Sequence, residues 1–155
     1  MGKITKAILA SEDLDVLIKL ISTGENVEEL DKDGRTPLLH ATIDNRIDIV
    51  KVLLESGANV NIQDKIGYSP LHYAAQNYYV ELVRLLINFN AQVDSKDIHG
   101  NTPLFKAVFN SKGQGEVIKV LIEHDADKEL TNNHGVSPYQ LAKTIANYNI
   151  VHFME

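Results

Sequence analysis

Apolar residues recur at helical spacing in four places along this chain. Ile47, Val50, Leu53 and Leu54 form one stripe, and Val80, Val83, Leu86 and Ile87 repeat it 33 residues later. The blocks that hold them read IVKVLLESGANVN from Ile49 and LVRLLINFNAQVD from Leu82. VIKVLIEHDADKE from Val117 and VLIKLISTGENVE from Val16 repeat the pattern. A shorter segment centred on small residues occurs once per unit, at Ala41, Ala74-Ala75, Ala107 and Ala142. Small residues let a neighbouring helix approach closely. The pattern predicts pairs of helices, one short and one longer, separated by polar returns.

The punctuation agrees with the period. Gly34, Gly67 and Gly100 are 33 residues apart, and Gly135 follows after 35. Thr36-Pro37, Ser69-Pro70, Thr102-Pro103 and Ser137-Pro138 read as helix starts. The hydroxyl caps free N–H groups, and Pro fits the first turn, where its missing N–H costs nothing. Gly57 reads as a left-handed helix end, with Asn90 and Asp125 at the same register. Turns centred on glycine complete each unit. The chain divides into units 1–30, 31–63, 64–96, 97–131 and 132–155, forming one domain over 1–155.

Composition narrows the chemistry. The 155 residues include no cysteine, which excludes disulfides and thiolate metal sites. Net charge is −6, with 15 Lys and Arg scattered among 21 acids, which argues against nucleic acid. The N-terminus mixes charges and lacks an apolar run, so neither a cleaved signal nor a membrane span is expected. HExxH and GxSxG are absent, and KGQG at Lys112 lacks the spacing of a phosphate loop. His99 and His134 on successive turns supply two ligands where zinc needs three or four. No catalytic, metal or cofactor site is assigned.

The 33-residue period, TPLxxA, VKVLLESGANVN and DxxG together resemble the ankyrin repeat family over essentially the whole chain. The resemblance implies an all-α solenoid of stacked helix-turn-helix units with β-hairpin-like fingers. It implies capping units at each end, the first with Ser11, Glu12 and Asp13 at its edge and the last without a finger. It implies that a histidine in TPLH braces each unit. Only His72 holds that position; Leu39, Phe105 and Gln140 replace it elsewhere, so weaker or apolar bracing is expected there. His40 lies one residue late. Asn61 resembles asparagines modified by asparaginyl hydroxylases, although ordering the finger by local hydrogen bonds is the simpler role. Two extra residues within 110–117 read as a mobile surface insertion.

The resemblance also implies a non-catalytic protein-interaction module contacting its partner through finger tips and the concave first-helix face; a cytoplasmic monomer capable of weak self-association is expected. Carried over by position, the contact residues are Arg35, Ile43, Lys65, Ile66, Tyr68 and Gln76. Asn77, Ile98, His99, Asn101, Phe109 and Asn110 complete the set. Ile43, Ile66, Tyr68, Ile98 and Phe109 are apolar where the fold should expose them, which signals a contact patch. The alternative is a self-associating structural protein whose Phe153 or Met154 is left open. An enzyme or small-ligand protein fits less well, because such a solenoid offers a shallow groove. In the run from Tyr68 to Tyr79, Tyr73 is expected to pack on neighbouring helices. Tyr78 and Tyr79 form an unusual turn that could mark a second edge of contact.

Overall fold

The computed structural model describes residues 1–145 and 149–155. It contains nine α-helices and no strand among the described residues. The helices are α1 (Lys3–Leu9), α2 (Leu14–Ser22), α3 (Pro37–Ile43), α4 (Ile47–Glu55) and α5 (Pro70–Gln76). Then come α6 (Val80–Asn88), α7 (Pro103–Phe109), α8 (Glu116–Glu123) and α9 (Pro138–Thr144), with a 3-10 turn at Val151–Phe153. The first helix of each unit packs on the next: α1 on α3, α3 on α5, α5 on α7 and α7 on α9. The second helices α2, α4, α6 and α8 form a parallel outer layer. Leu38, Leu71 and Leu104 are wholly buried, with Ala41, Ala74 and Ala107 beside them, so the core runs continuously through the stack.

The expected helix starts form as read. Thr36, Ser69, Thr102 and Ser137 each accept the backbone N–H three residues on. Gly57, Asn90 and Asp125 take positive φ at the helix ends. The fingers are turns rather than strands, yet they are joined by backbone bonds. Lys65 N–H donates to Asp33 O, Ile98 N–H to Ile66 O and Asn133 N–H to His99 O, at 3.0–3.2 Å. Gly67 sits at φ 77, and a Cβ there would lie 2.8 Å from Ile98 N. Close finger stacking therefore requires glycine at this position.

The first and last units depart from the internal repeat in detail. A capping unit favours a polar outer face, yet Leu9, Val16, Ile18 and Leu30 of the first unit are exposed together with Ser11, Glu12 and Asp13. Internal counterparts of Val16, namely Ile49, Leu82 and Val117, are buried. Of the two side chains that the self-associating alternative leaves open, Met154 is 1% exposed with Ile150 buried beside it, while Phe153 is half-buried. The last unit's expected second helix includes residues 146–148, which lie outside the described residues; beyond them only a 3-10 turn forms. Lys128 Nζ donates to Met154 O at 2.8 Å, holding this terminal segment on the preceding finger.

The insertion is also held rather than free. Ser111 is buried, and Lys112 and Gly113 take positive φ. The Tyr78 hydroxyl lies 2.9 Å from both Ala107 O and Gln114 O and shares its proton between them. The Phe153 ring covers Gly115 so closely that a Cβ would approach it within 2.4 Å.

Candidate functional site

Each finger is organised by one acid or amide. Asp31, Asp64, Asp97 and Asn132 use Oδ1 to accept N–H groups two and four residues on, at 2.8–3.1 Å. That closes the turn with one side chain. In three units the other carboxylate oxygen meets the residue nine positions later. His40 Nε2 lies 2.9 Å from Asp31, Tyr73 OH donates to Asp64 at 2.7 Å, and Lys106 Nζ lies 3.0 Å from Asp97. Three different side chains thus hold the first helix to its own finger. The last unit places Leu141 at that register beside Asn132, with no charge to neutralise.

A second set of contacts crosses between units. The Arg35 guanidinium donates to Tyr73 OH at 3.2 Å, and its Nε lies 3.5 Å from Asp64 Oδ2 without an aligned hydrogen bond. Tyr68 stacks on His72 and meets Tyr73 at a tilt, while Lys106 Nζ lies 4.8 Å from its ring centroid. The Asn132 amide donates to Asn101 Oδ1 at 2.9 Å. Burial pushes Tyr73 up to about 12, and the bond to Asp64 adds to this, so Tyr73 remains a neutral donor. Burial also raises Asp97, but the N–H of Asn101 and the Lys106 ammonium outweigh it and hold the carboxyl below its usual range.

His72 fulfils the bracing role. Its Nε2 donates to Asn101 O at 3.0 Å, leaving Nδ1 to accept Ser69 N–H at 3.2 Å. Burial lowers its pKa, so the neutral ring persists. Gln140 Oε1 accepts Ser137 N–H in the same way, at 3.0 Å, so the last unit keeps half of that polar brace. Leu39 is wholly buried, giving the apolar substitute expected there. Asn61 Oδ1 accepts Gln92 N–H from the following unit at 2.8 Å, an ordering role that crosses between units.

The twelve carried-over positions separate by environment. Ile66, Ile98 and Phe109 are 44%, 56% and 67% exposed, and Lys65, Asn77 and His99 are exposed with them. Arg35, Ile43, Tyr68, Gln76 and Asn110 are half-buried. Asn101 is the correction: it is buried and bonded to Asp97, Asn132 and His72, so it positions neighbours instead of offering a tip. Tyr78 and Tyr79 are likewise committed within the stack. The Tyr79 hydroxyl donates back to Ile43 O at 3.4 Å while Tyr78 reaches forward.

Between α5 and α7 lies an open groove with two adjoining hollows. The first, of about 410 Å³, is lined by Tyr68, Phe105, Lys106 and Phe109 among others. The second, of about 350 Å³, is lined by Asn77, Tyr78, Lys112 and Gln114. Gln76 and Asn110 line both. Phe105 and Lys106 are not among the twelve carried-over positions. The available signal was the shared register of His40, Tyr73 and Lys106, each nine residues past a finger acid. No group of three or more metal-ligating side chains occurs among the described residues, and no helix there is long and apolar enough to cross a membrane.

A family model described as ankyrin repeats (3 copies) matches residues 4–64 and 56–132. No curated protein matches the chain.

Proposed function

The chain belongs to the ankyrin-repeat family, and from that premise we propose that it is a non-catalytic protein-interaction module. It acts as an adaptor, inhibitor or regulatory subunit in the cytoplasm. The observation that carries this reading is the exposure of Ile66, Ile98 and Phe109 on adjacent units. Large apolar side chains are left in water here while the helices beneath them are fully packed. The contact surface consists of these three with Lys65, His99, Asn77 and the half-buried edges of Arg35, Ile43, Tyr68, Gln76 and Asn110.

Tyr68 supports Lys106 and His72, so removing it would disturb the stack itself. The cleaner test uses Ile66→Ser with Phe109→Ser, both at exposed positions. Affinity capture from the source cell is run with wild type and this variant side by side. A partner lost with the variant, while the thermal transition is unchanged, supports the reading. Equal recovery with both proteins removes it.

A second reading, end-on self-association, draws on Leu9, Val16, Ile18 and Leu30 in the first unit. It no longer draws on Met154, which is buried. Light scattering over a range of concentrations decides it, because a monomer throughout removes it.

A further inference from the structure

We propose that the groove between α5 and α7 takes an extended, uncharged segment of a partner protein, anchored by one large apolar side chain. This rests on the interaction reading above and specifies the chemistry of the partner.

The first argument is charge. The chain carries −6 overall, yet Lys106, the one charged side chain lining the apolar hollow, is already matched. Lys106 lies 3.0 Å from Asp97 and over the Tyr68 ring. A charged ligand side chain at this wall would be desolvated without a free counter-charge. Lys112 stands at the far end, on the insertion, and is exposed.

The second argument is the apolar end. Tyr68, Phe105 and Phe109 line one hollow, and Phe109 is 67% exposed. An aliphatic or aromatic side chain placed there would remove apolar surface from water on both partners.

The third argument is the amides. Asn77 Nδ2 donates to Tyr73 O and Asn110 Nδ2 donates to Lys106 O, at 3.0 and 2.9 Å. Each amide is fixed by its own helix end, and its oxygen accepts no hydrogen bond among the described residues. Gln76 is the converse: its Oε1 accepts from Tyr68 OH, leaving its NH₂ as a donor. Oriented acceptors and a donor beside one groove match the N–H and C=O groups of an unpaired peptide backbone. A helical ligand has already used those groups internally. The amides therefore favour an extended segment, and the rest of the groove favours an apolar anchor.

The test is an NMR titration of the isotopically labelled full chain. The probe is the blocked peptide Ser-Gly-Ser-Leu-Ser-Gly-Ser, compared with versions carrying Ala or Glu for Leu, and with one N-methylated on both sides of Leu. The Leu peptide should move the side-chain amide signals of Gln76 and Asn110. Binding should weaken by about fivefold or more with Ala, from lost apolar burial, and further with Glu. N-methylation should weaken it by about fivefold or more, because backbone bonds are removed. Raising salt from about 50 to about 500 mM should change affinity by less than about twofold. Phe109→Ser, at an exposed position, should abolish the preference for Leu over Ala.

No shift at the groove up to the peptide's solubility limit overturns the proposal. So does equal binding of the Leu, Ala and N-methylated peptides, or tighter binding of the Glu peptide. These results leave the interaction reading intact if the Ile66/Phe109 variant still loses its cellular partner. If that partner is retained, the interaction reading falls by its own test.

Discussion

At the scale of single residues, the finger acids and their partners carry the most specific consequences. Asp97 closes its turn with Oδ1 and neutralises Lys106 with Oδ2. Asn132 closes an identical turn as an amide, so Asp97→Asn should preserve the finger. It would leave the Lys106 ammonium, whose side chain is 14% exposed, without its counter-ion. The expected cost is about 2 kcal/mol in chemical denaturation. Adding Lys106→Leu recreates the Asn132–Leu141 arrangement of the last unit and should recover at least about half of that loss. Additive losses in the double variant would refute the pairing. His72 gives a second test at this scale. Its folded pKa lies below the usual 6.5 because the ring is buried. Above that value both folded and unfolded chains hold it neutral. As pH falls below it, the unfolded chain takes up a proton that the folded ring resists, so this contribution to stability is lost on acidification. Histidine ring signals followed by NMR should show His72 titrating below 6.5 in the folded protein; a midpoint at or above that value contradicts the neutral brace.

At the scale of elements, the interhelical turns show how this chain departs from a uniform repeat. Asn45, Tyr78 and Lys112 take positive φ in the turns between paired helices. A bulky ring at φ 59 is unfavourable on its own. Tyr78 is retained there by burial of its ring against the core and by its hydroxyl at Ala107 O and Gln114 O. Tyr78→Phe keeps the strain and the ring but loses the tie to the insertion. It should cost about 1 kcal/mol and speed amide exchange within 110–116. Unchanged exchange there would show that Phe153 alone holds the segment. These ties mark the limit of what the chain's pattern revealed. Helix starts, helix ends and the period were legible because they depend on local chemistry repeated four times. Tyr78 read as a surface oddity because its partners lie 29 and 36 residues away. Asn101 read as a tip residue because its register suggested exposure, and the next unit's Asn132 was invisible to a one-unit argument. The exposure of Ile66, Ile98 and Phe109 was legible, since each sits where the repeat turns a side chain outward.

At the scale of the whole molecule, a stack in which each unit touches only its neighbours is as stable as its ends permit. The first and last units are covered differently. At the start, Glu25 occupies the register of the buried Ala58, Ala91 and Ala126 and pairs with Lys3 at 2.5 Å. That exposed pair contributes little to folding, and apolar side chains stay open beside it. At the other end, Ile150 and Met154 are 0% and 1% exposed, and Phe153 lies on Gly115 with Lys119 Nζ 5.0 Å from its ring. Residues 150–154, with their 3-10 turn, therefore cover the last core layer. Removing residues 150–155 deletes two fully buried apolar side chains and with them their burial, a loss of about 3–6 kcal/mol at ordinary burial energies. In a linear stack that loss should fall first on α9 and the adjoining finger, not on the whole protein. Denaturation of the truncated chain should become two-stepped, with α9 amides exchanging early and α3 to α6 protected as before. A single cooperative transition at unchanged midpoint would show that the terminal segment contributes nothing to the cap. A single transition at a much lower midpoint would show that the five units fold as one body.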